Sequence, residues 1–343
     1  MKNNKESNKE ANKENTRAIP DARFALFQLT FLMLGLSLLV DAVNGFFLSG
    51  MGFDPKLSAM FKLCLLGIVL YQLGTYSPKV LAWCLVAFLS FLIGPLFTFI
   101  DTKNITGFFD DFTSALKILT ALLIFVYVCI AAEKYPVATL DQYGRWALQF
   151  AFIVLLLNII LGALGYGFSS YGNAAQDEDK AIGVKGFFYA GNELSGVFVV
   201  LYGVALHFLW QRRKFIYMIF APIVLLSGLL IATKAAMMAA ALLVFAIPLM
   251  NERKQLLNLT SLKLKLIVPI IIVGAILAVV LIPVFESTGL LNRFIWFYEK
   301  KGIIGIILSG RDEFIVNMLR VFEYYATIPD IVFGMSKTGL GLV

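Results

Sequence analysis

Nine apolar runs, each close to the length needed to cross about 30 Å of hydrocarbon, follow one another with short interruptions, and that succession limits what the chain can become. They fall at Phe24–Val40, Leu57–Gly74, Val80–Ile100, Thr113–Ala132, Trp146–Tyr166, Phe187–Trp210, Phe215–Ile231, Ala235–Met250 and Leu266–Phe285. A backbone in lipid must satisfy its own hydrogen bonds, and runs of this length do so as helices. The predicted fold is all-α: a polytopic membrane helix bundle of about nine transmembrane helices, with a late extracytoplasmic loop containing amphipathic helices. Charged residues make up 15% of the chain, against roughly a quarter in soluble domains, and mean hydropathy is +0.83.

Loop charges predict the orientation. With the N-terminus inside, the inner loops carry ten cations, Lys79, Lys134, Arg145, Arg212, Arg213, Lys214, Arg253, Lys254, Lys263 and Lys265. The outer loops carry five, Lys56, Lys103, Lys180, Lys185 and Lys234, and gather the acids Asp41, Asp54, Asp101, Asp110, Asp111, Asp177, Glu178 and Asp179. This asymmetry predicts a multi-pass protein of the cell membrane with a cytoplasmic N-terminus. The same asymmetry accounts for the net charge of +7, so nucleic acid is excluded as a partner and the lipid bilayer takes its place.

Three regions follow. Residues 1–23, rich in Lys, Asn and Glu with three near-repeats of Asn-Lys-Glu, bury too little apolar surface to fold and read as a disordered cytoplasmic tail. Residues 24–285 form the bundle, in which Ala232-Thr233-Lys234 makes a tight hairpin between the seventh and eighth spans. Residues 286–343 form the extracytoplasmic loop.

That loop holds the densest set of ionisable and aromatic residues. Ser309, with Asp312 three residues on, fits a capping box, and Phe314, Ile315, Met318, Leu319 and Phe322 make one helical stripe, so a helix is predicted from Arg311 to Ala326. Its first N–H groups and the Arg311 guanidinium would suit a phosphate or diphosphate. Pairing of Arg311 with Asp312, Glu313 or Glu323 explains the same residues without a ligand. Upstream, Arg293 sits among Trp296 and Tyr298, aromatics suited to the headgroup layer.

Charges inside apolar spans are costly and mark candidate sites. Lys62 and Lys117 lie one or two turns inside the outer ends of their spans, Lys234 lies at an outer turn, and Glu193 is the carboxylate at the outer end of the sixth span. Snorkelling explains the first two lysines equally well, and Glu193 could pair with one of them or act on a substrate hydroxyl. His207, the single histidine, lies near the inner end of the sixth span, where a structural role is expected. Cys64, Cys84 and Cys129 sit inside apolar runs without paired spacing, so neither a disulfide nor a metal site is indicated, and no cofactor is expected.

Phe188-Tyr189-Ala190-Gly191-Asn192-Glu193-Leu194-Ser195 opening one span, Ala232-Thr233-Lys234-Ala235-Ala236 opening another, and Ser309-Gly310-Arg311 in a late outer loop together resemble the O-antigen polymerase and O-antigen ligase superfamily, whose Gram-positive relatives make capsule or exopolysaccharide. The resemblance covers roughly residues 187 to 334 and rests on short, degenerate motifs. It implies an inverting membrane glycosyltransferase that joins repeat units carried on undecaprenyl diphosphate. Arg311 matches the arginine of the outer-loop motif, and Lys234 falls where many members have Ser-Arg. Arg311, Lys234 and Arg293 would hold the leaving diphosphate, and Asp312, Glu313 or Glu193 would orient the acceptor. A chain-length regulator and a flippase of the same pathway are implied partners, and further spans are expected beyond Val343. The ligase branch relies on a loop histidine that residues 286–343 lack, which favours polymerase over ligase. The rival class is a lipid-linked oligosaccharide flippase or other transporter; no inverted repeat supports it.

Overall fold

The computed structural model describes residues 21–171, 182–189, 191–251, 295, 298–299, 302–303, 311–326 and 328–333. Eight helices among them are long and apolar enough to cross a membrane, and the chain is a multi-pass membrane protein. They are α1 (Asp21–Met51), α2 (Leu57–Tyr76), α3 (Pro78–Thr102), α4 (Ile105–Lys134), α5 (Val137–Ala163), α6 (Gly191–Arg212), α7 (Lys214–Ile231) and α8 (Lys234–Asn251). The predicted ninth span, 266–285, lies outside the described residues. Later come α9 (Arg311–Tyr325) and α10 (Ile328–Phe333), and α10 packs against α3.

Short turns make successive helices run in opposite directions. The end holding the α1–α2, α3–α4 and α7–α8 turns is termed distal, and the end where α1 begins is proximal. Lys56, Lys103 and Lys185 are distal, while Lys79, Lys134, Arg212 and Arg213 are proximal, as the loop counting expects. The helices outrun the apolar runs. Asp41 lies within α1, Asp101 within α3, and Asp110 and Asp111 within α4, not in outer loops as expected from hydropathy. For α4 the reason is local: the Asn104 side chain accepts from the Gly107 N–H at 3.0 Å, which caps the helix two turns before the apolar run begins.

Two cores build the bundle. The first gathers α1 to α4 around Phe27, Leu73, Leu123 and Tyr127. Inside it the Gln72 amide donates to Thr30 at 2.7 Å and accepts from the Tyr127 hydroxyl at 2.9 Å, so three helices share one satisfied polar group. At its proximal edge Tyr135, in the α4–α5 turn, meets the Tyr76 hydroxyl at 2.7 Å, and burial pushes the Tyr135 phenol far above its ordinary value. The second core gathers α5 to α8 around Leu155, Phe198, Tyr202, Tyr217 and Ile231. Tyr202 donates to Ser227 at 3.0 Å, and Ser195 and Thr233 join α6 to the start of α8 at 2.7 Å. Bonds of this kind in membrane proteins contribute about 0.6 kcal/mol each. α1 packs extensively on both α2 and α5 and so belongs to both halves.

One element has no counterpart among the sequence expectations. Between α5 and α6 the chain forms an antiparallel hairpin, β1 (Phe168–Tyr171) with β2 (Ile182–Gly186), paired Ser169 to Val184 and Tyr171 to Ile182. β2 lies against α5 and α7 at the distal end. Ser170 donates to the Ile231 carbonyl at 2.6 Å, satisfying one of the carbonyls that α7 leaves open at its end. The predicted tight turn at 232–234 is present: Ala232 adopts φ 58° and Thr233 accepts from the Ala236 N–H at 3.2 Å.

Candidate functional site

A cavity of about 230 Å³ opens at the distal end, on the seam between the two cores. α1 contributes Asp41, Asn44 and Gly45, α2 Ser58 and Lys62, α4 Lys117, and α6 Glu193 and Leu194, while Phe188 and Tyr189 close it from the segment after β2. Of the charged residues singled out from the sequence, Glu193, Lys62 and Lys117 therefore meet in one place.

Their partners differ in tightness. Lys62 Nζ stands 2.9 Å from Asp41, which also accepts from the Ser58 hydroxyl. Lys117 and Glu193 approach only to 4.0 Å, and both side chains are largely exposed, at 73% and 69%. The first pair is a structural clasp between α1 and α2. The second spans the gap between α4 and α6, and its opposite charges gain little from each other at that distance and exposure. Lys117 lies twelve residues into α4, about 18 Å along the axis, whereas Glu193 lies in the first turn of α6.

The α1–α2 turn is held by side chains. Asn44 donates to Asp54 at 3.2 Å and accepts from the Leu57 N–H at 2.9 Å. The ammonium and backbone N–H of Lys56, together with Asn44, hold the Asp54 carboxyl below the usual carboxylate range.

The opposite wall depends on Asn158 of α5. Its side chain donates to the Lys185 carbonyl at 2.6 Å and accepts from the Phe187 N–H at 2.8 Å, which fixes the chain leaving β2. Gly186 between them has φ 57°, a conformation open to glycine. Gly45 lets α1 approach the same segment: a Cβ there would overlap the Phe187 carbonyl. Lys185 itself is half buried, donates to the Tyr189 carbonyl at 3.0 Å and sits 6.0 Å from the centre of the Phe168 ring. Burial lowers its pKa from the ordinary lysine value.

Other candidates lie elsewhere. Lys234 begins α8 at the distal end but does not line the cavity. Arg311 begins α9, close to the predicted 311–326 helix, but its side chain lies outside the described residues, as does Arg293. Asp312 is half buried and Glu313 exposed, and neither lines the cavity. Tyr298, Phe314, Ile315 and Leu319 are exposed. His207 sits at the proximal end between Gln211 at 2.9 Å and Asn251 at 3.1 Å, joining α6 to α8. Cys84 is buried, whereas Cys64 and Cys129 face away from the packed interior, so position in an apolar run does not make all three core residues. Among the described residues no group of three or more His, Cys, Asp or Glu could hold a metal.

Sequence reasoning misses Asp41, Asn158 and Lys185 as site residues. It counts Asp41 and Lys185 only as loop charges. Asn158 carries a usable signal, an amide amid Leu155-Leu156-Leu157 and Ile159-Ile160, where lipid disfavours an unsatisfied polar group. No protein-family model, no curated protein and no solved structure matches the chain.

Proposed function

We propose that the chain is a membrane glycosyltransferase that polymerises undecaprenyl-diphosphate-linked repeat units into capsule, exopolysaccharide or O-antigen on the outer face of the membrane. The supporting observation is the distal cavity, in which Lys62 and Lys117 stand with Asp41 and Glu193 where the two cores meet. At about 230 Å³ it is smaller than the roughly 300–1,000 Å³ of sites that enclose drug-sized ligands, so it suits a headgroup and not a whole repeat unit.

In this reading the acceptor hydroxyl oxygen attacks the anomeric carbon of the lipid-linked sugar and inverts it. The bond from that carbon to the phosphate oxygen breaks, and its electron pair leaves with the diphosphate. Lys117, only loosely held by Glu193, stabilises the growing negative charge, and Glu193 takes the hydroxyl proton. Arg311 at the start of α9, with Arg293 and Lys234, would add positive charge on the same face, and Asp312 or Glu313 could orient the acceptor.

The lipid-linked pool of a deletion strain provides the test. Polymerase loss leaves single repeat units on the outer face, and the wild-type gene restores polymer. Accumulation on the inner face would overturn the reading in favour of a flippase, and finished polymer left on its lipid carrier would favour a ligase.

A further inference from the structure

The charges that line the distal cavity cancel. Lys62 is matched by Asp41 and Lys117 by Glu193, so these four side chains give the void no net preference for an anion. Lys185 is not itself a lining residue, but it is bonded to one. Its ammonium donates to the carbonyl of Tyr189, a lining residue, and also meets the Phe168 ring. Among the described residues it forms no salt bridge.

A carbonyl and a ring face are weak replacements for water around an ammonium. Partial burial accordingly penalises the charged form of Lys185. An anion at the rim would remove that penalty. The backbone that carries Lys185 is also fixed, since both peptide groups flanking Gly186 are tied to Asn158 and Gly45 admits the Phe187 carbonyl against α1. A flexible surface lysine needs no such anchoring. The acidic run Asp177-Glu178-Asp179, the one competing source of counter-charge on the hairpin, lies outside the described residues.

We propose that Lys185 is a ligand-binding residue of the distal cavity, placed by the β1–β2 hairpin to contact the phosphate or diphosphate group of an anionic ligand lodged between Tyr189, Lys117 and Glu193. The inference rests on the reading that the cavity takes an anionic headgroup, but it does not require the glycosyl transfer. The positive charge that selects the ligand then comes from the hairpin, and the Lys117–Glu193 pair is left to open when the ligand enters.

Binding to the purified full-length protein in detergent tests this, with inorganic diphosphate and farnesyl diphosphate as probes. Lys185→Ala is expected to weaken both by about tenfold, the size of one lost charge-assisted contact, while Lys185→Arg retains most of the affinity. Lys103→Ala, an exposed distal lysine away from the cavity, should bind as wild type. Lys185→Gln serves as a second variant, because it keeps a donor for the Tyr189 carbonyl and so preserves the fold. Much tighter binding of farnesyl diphosphate would identify a lipid headgroup as the ligand, and equal binding a free phosphate compound. Wild-type affinity in folded Lys185→Ala and Lys185→Gln would overturn the proposal, as would lower thermal stability with unchanged affinity, the result expected if Lys185 only pairs with the hairpin acids. Failure of the wild-type protein to bind either probe would overturn it too. Lys185-dependent binding without any polymer formation would keep this inference and reject the glycosyltransferase reading.

Discussion

The side-chain amide of Asn158 bonds the Lys185 carbonyl at 2.6 Å from within α5, so a residue in the middle of an apolar run sets the position of a hairpin 27 residues later. The same amide accepts from Phe187, and the cavity wall at Phe188 and Tyr189 follows directly.

Asn158→Leu is therefore expected to leave the Phe187 N–H without a partner and the Lys185 carbonyl with only the Phe188 N–H, 3.2 Å away. The cost is about 1–3 kcal/mol for a buried group left unsatisfied. Limited proteolysis should show earlier cleavage between residues 164 and 190, with α5 and α6 intact. An unchanged cleavage pattern would show that the hairpin is held by its remaining contacts with α5 and α7.

Asp41 accepts from both Ser58 and Lys62, so its removal should cost more than that of either donor. Asp41→Ala is expected to lower stability by about 1–2 kcal/mol, since a charged acceptor of two hydrogen bonds is lost. Lys62→Met should cost less, and the Asp41–Lys62 coupling in a double-mutant cycle should stay within about 1 kcal/mol because the lysine is half exposed. Thermal unfolding of the four proteins in one detergent measures both quantities. A coupling well above that value would mean that the pair is far less hydrated than its exposure indicates.

Asp54 supplies a pH signature. Lys56 and Asn44 lower its folded-state pKa, so the folded protein binds fewer protons than the unfolded chain between the two values. The stabilisation is fully present above the ordinary aspartate value of about 3.9 and is lost as pH falls through the lower folded-state value. Wild type and Asp54→Asn should differ in unfolding temperature near neutral pH and converge as pH falls through the lowered folded-state value. A constant difference across this range would assign the effect to packing of the α1–α2 turn.

Orientation is tested by impermeant maleimide labelling in a background lacking Cys64, Cys84 and Cys129. Lys103→Cys, exposed at the distal end, is expected to react in intact cells, as is Lys300→Cys. Lys79→Cys, at the proximal turn, should react only after permeabilisation. The reverse pattern would place the cavity on the cytoplasmic side and exclude extracytoplasmic transfer.

By itself the sequence determined eight of the nine expected spans, the ninth lying outside the described residues, and the turn at 232–234, because apolar length and the demand for internal backbone hydrogen bonding act locally. The helix at 311–325 was likewise legible in its capping residues and its apolar stripe. The hairpin and the cavity were not. β1 and β2 are four and five residues long, and a short strand in a polar loop has no periodicity that separates it from irregular chain. Their positions depend on Asn158 and Ile231, which belong to other elements. Lys62, Lys117 and Glu193 were each visible as charges in apolar runs. Only tertiary structure decided that Lys62 is clasped by Asp41, that Lys117 and Glu193 face each other across the seam, and that Lys185 reaches the carbonyl of Tyr189 in the cavity wall. Such pairings join residues as many as 76 positions apart, and they are set by how α1 to α4 pack against α5 to α8.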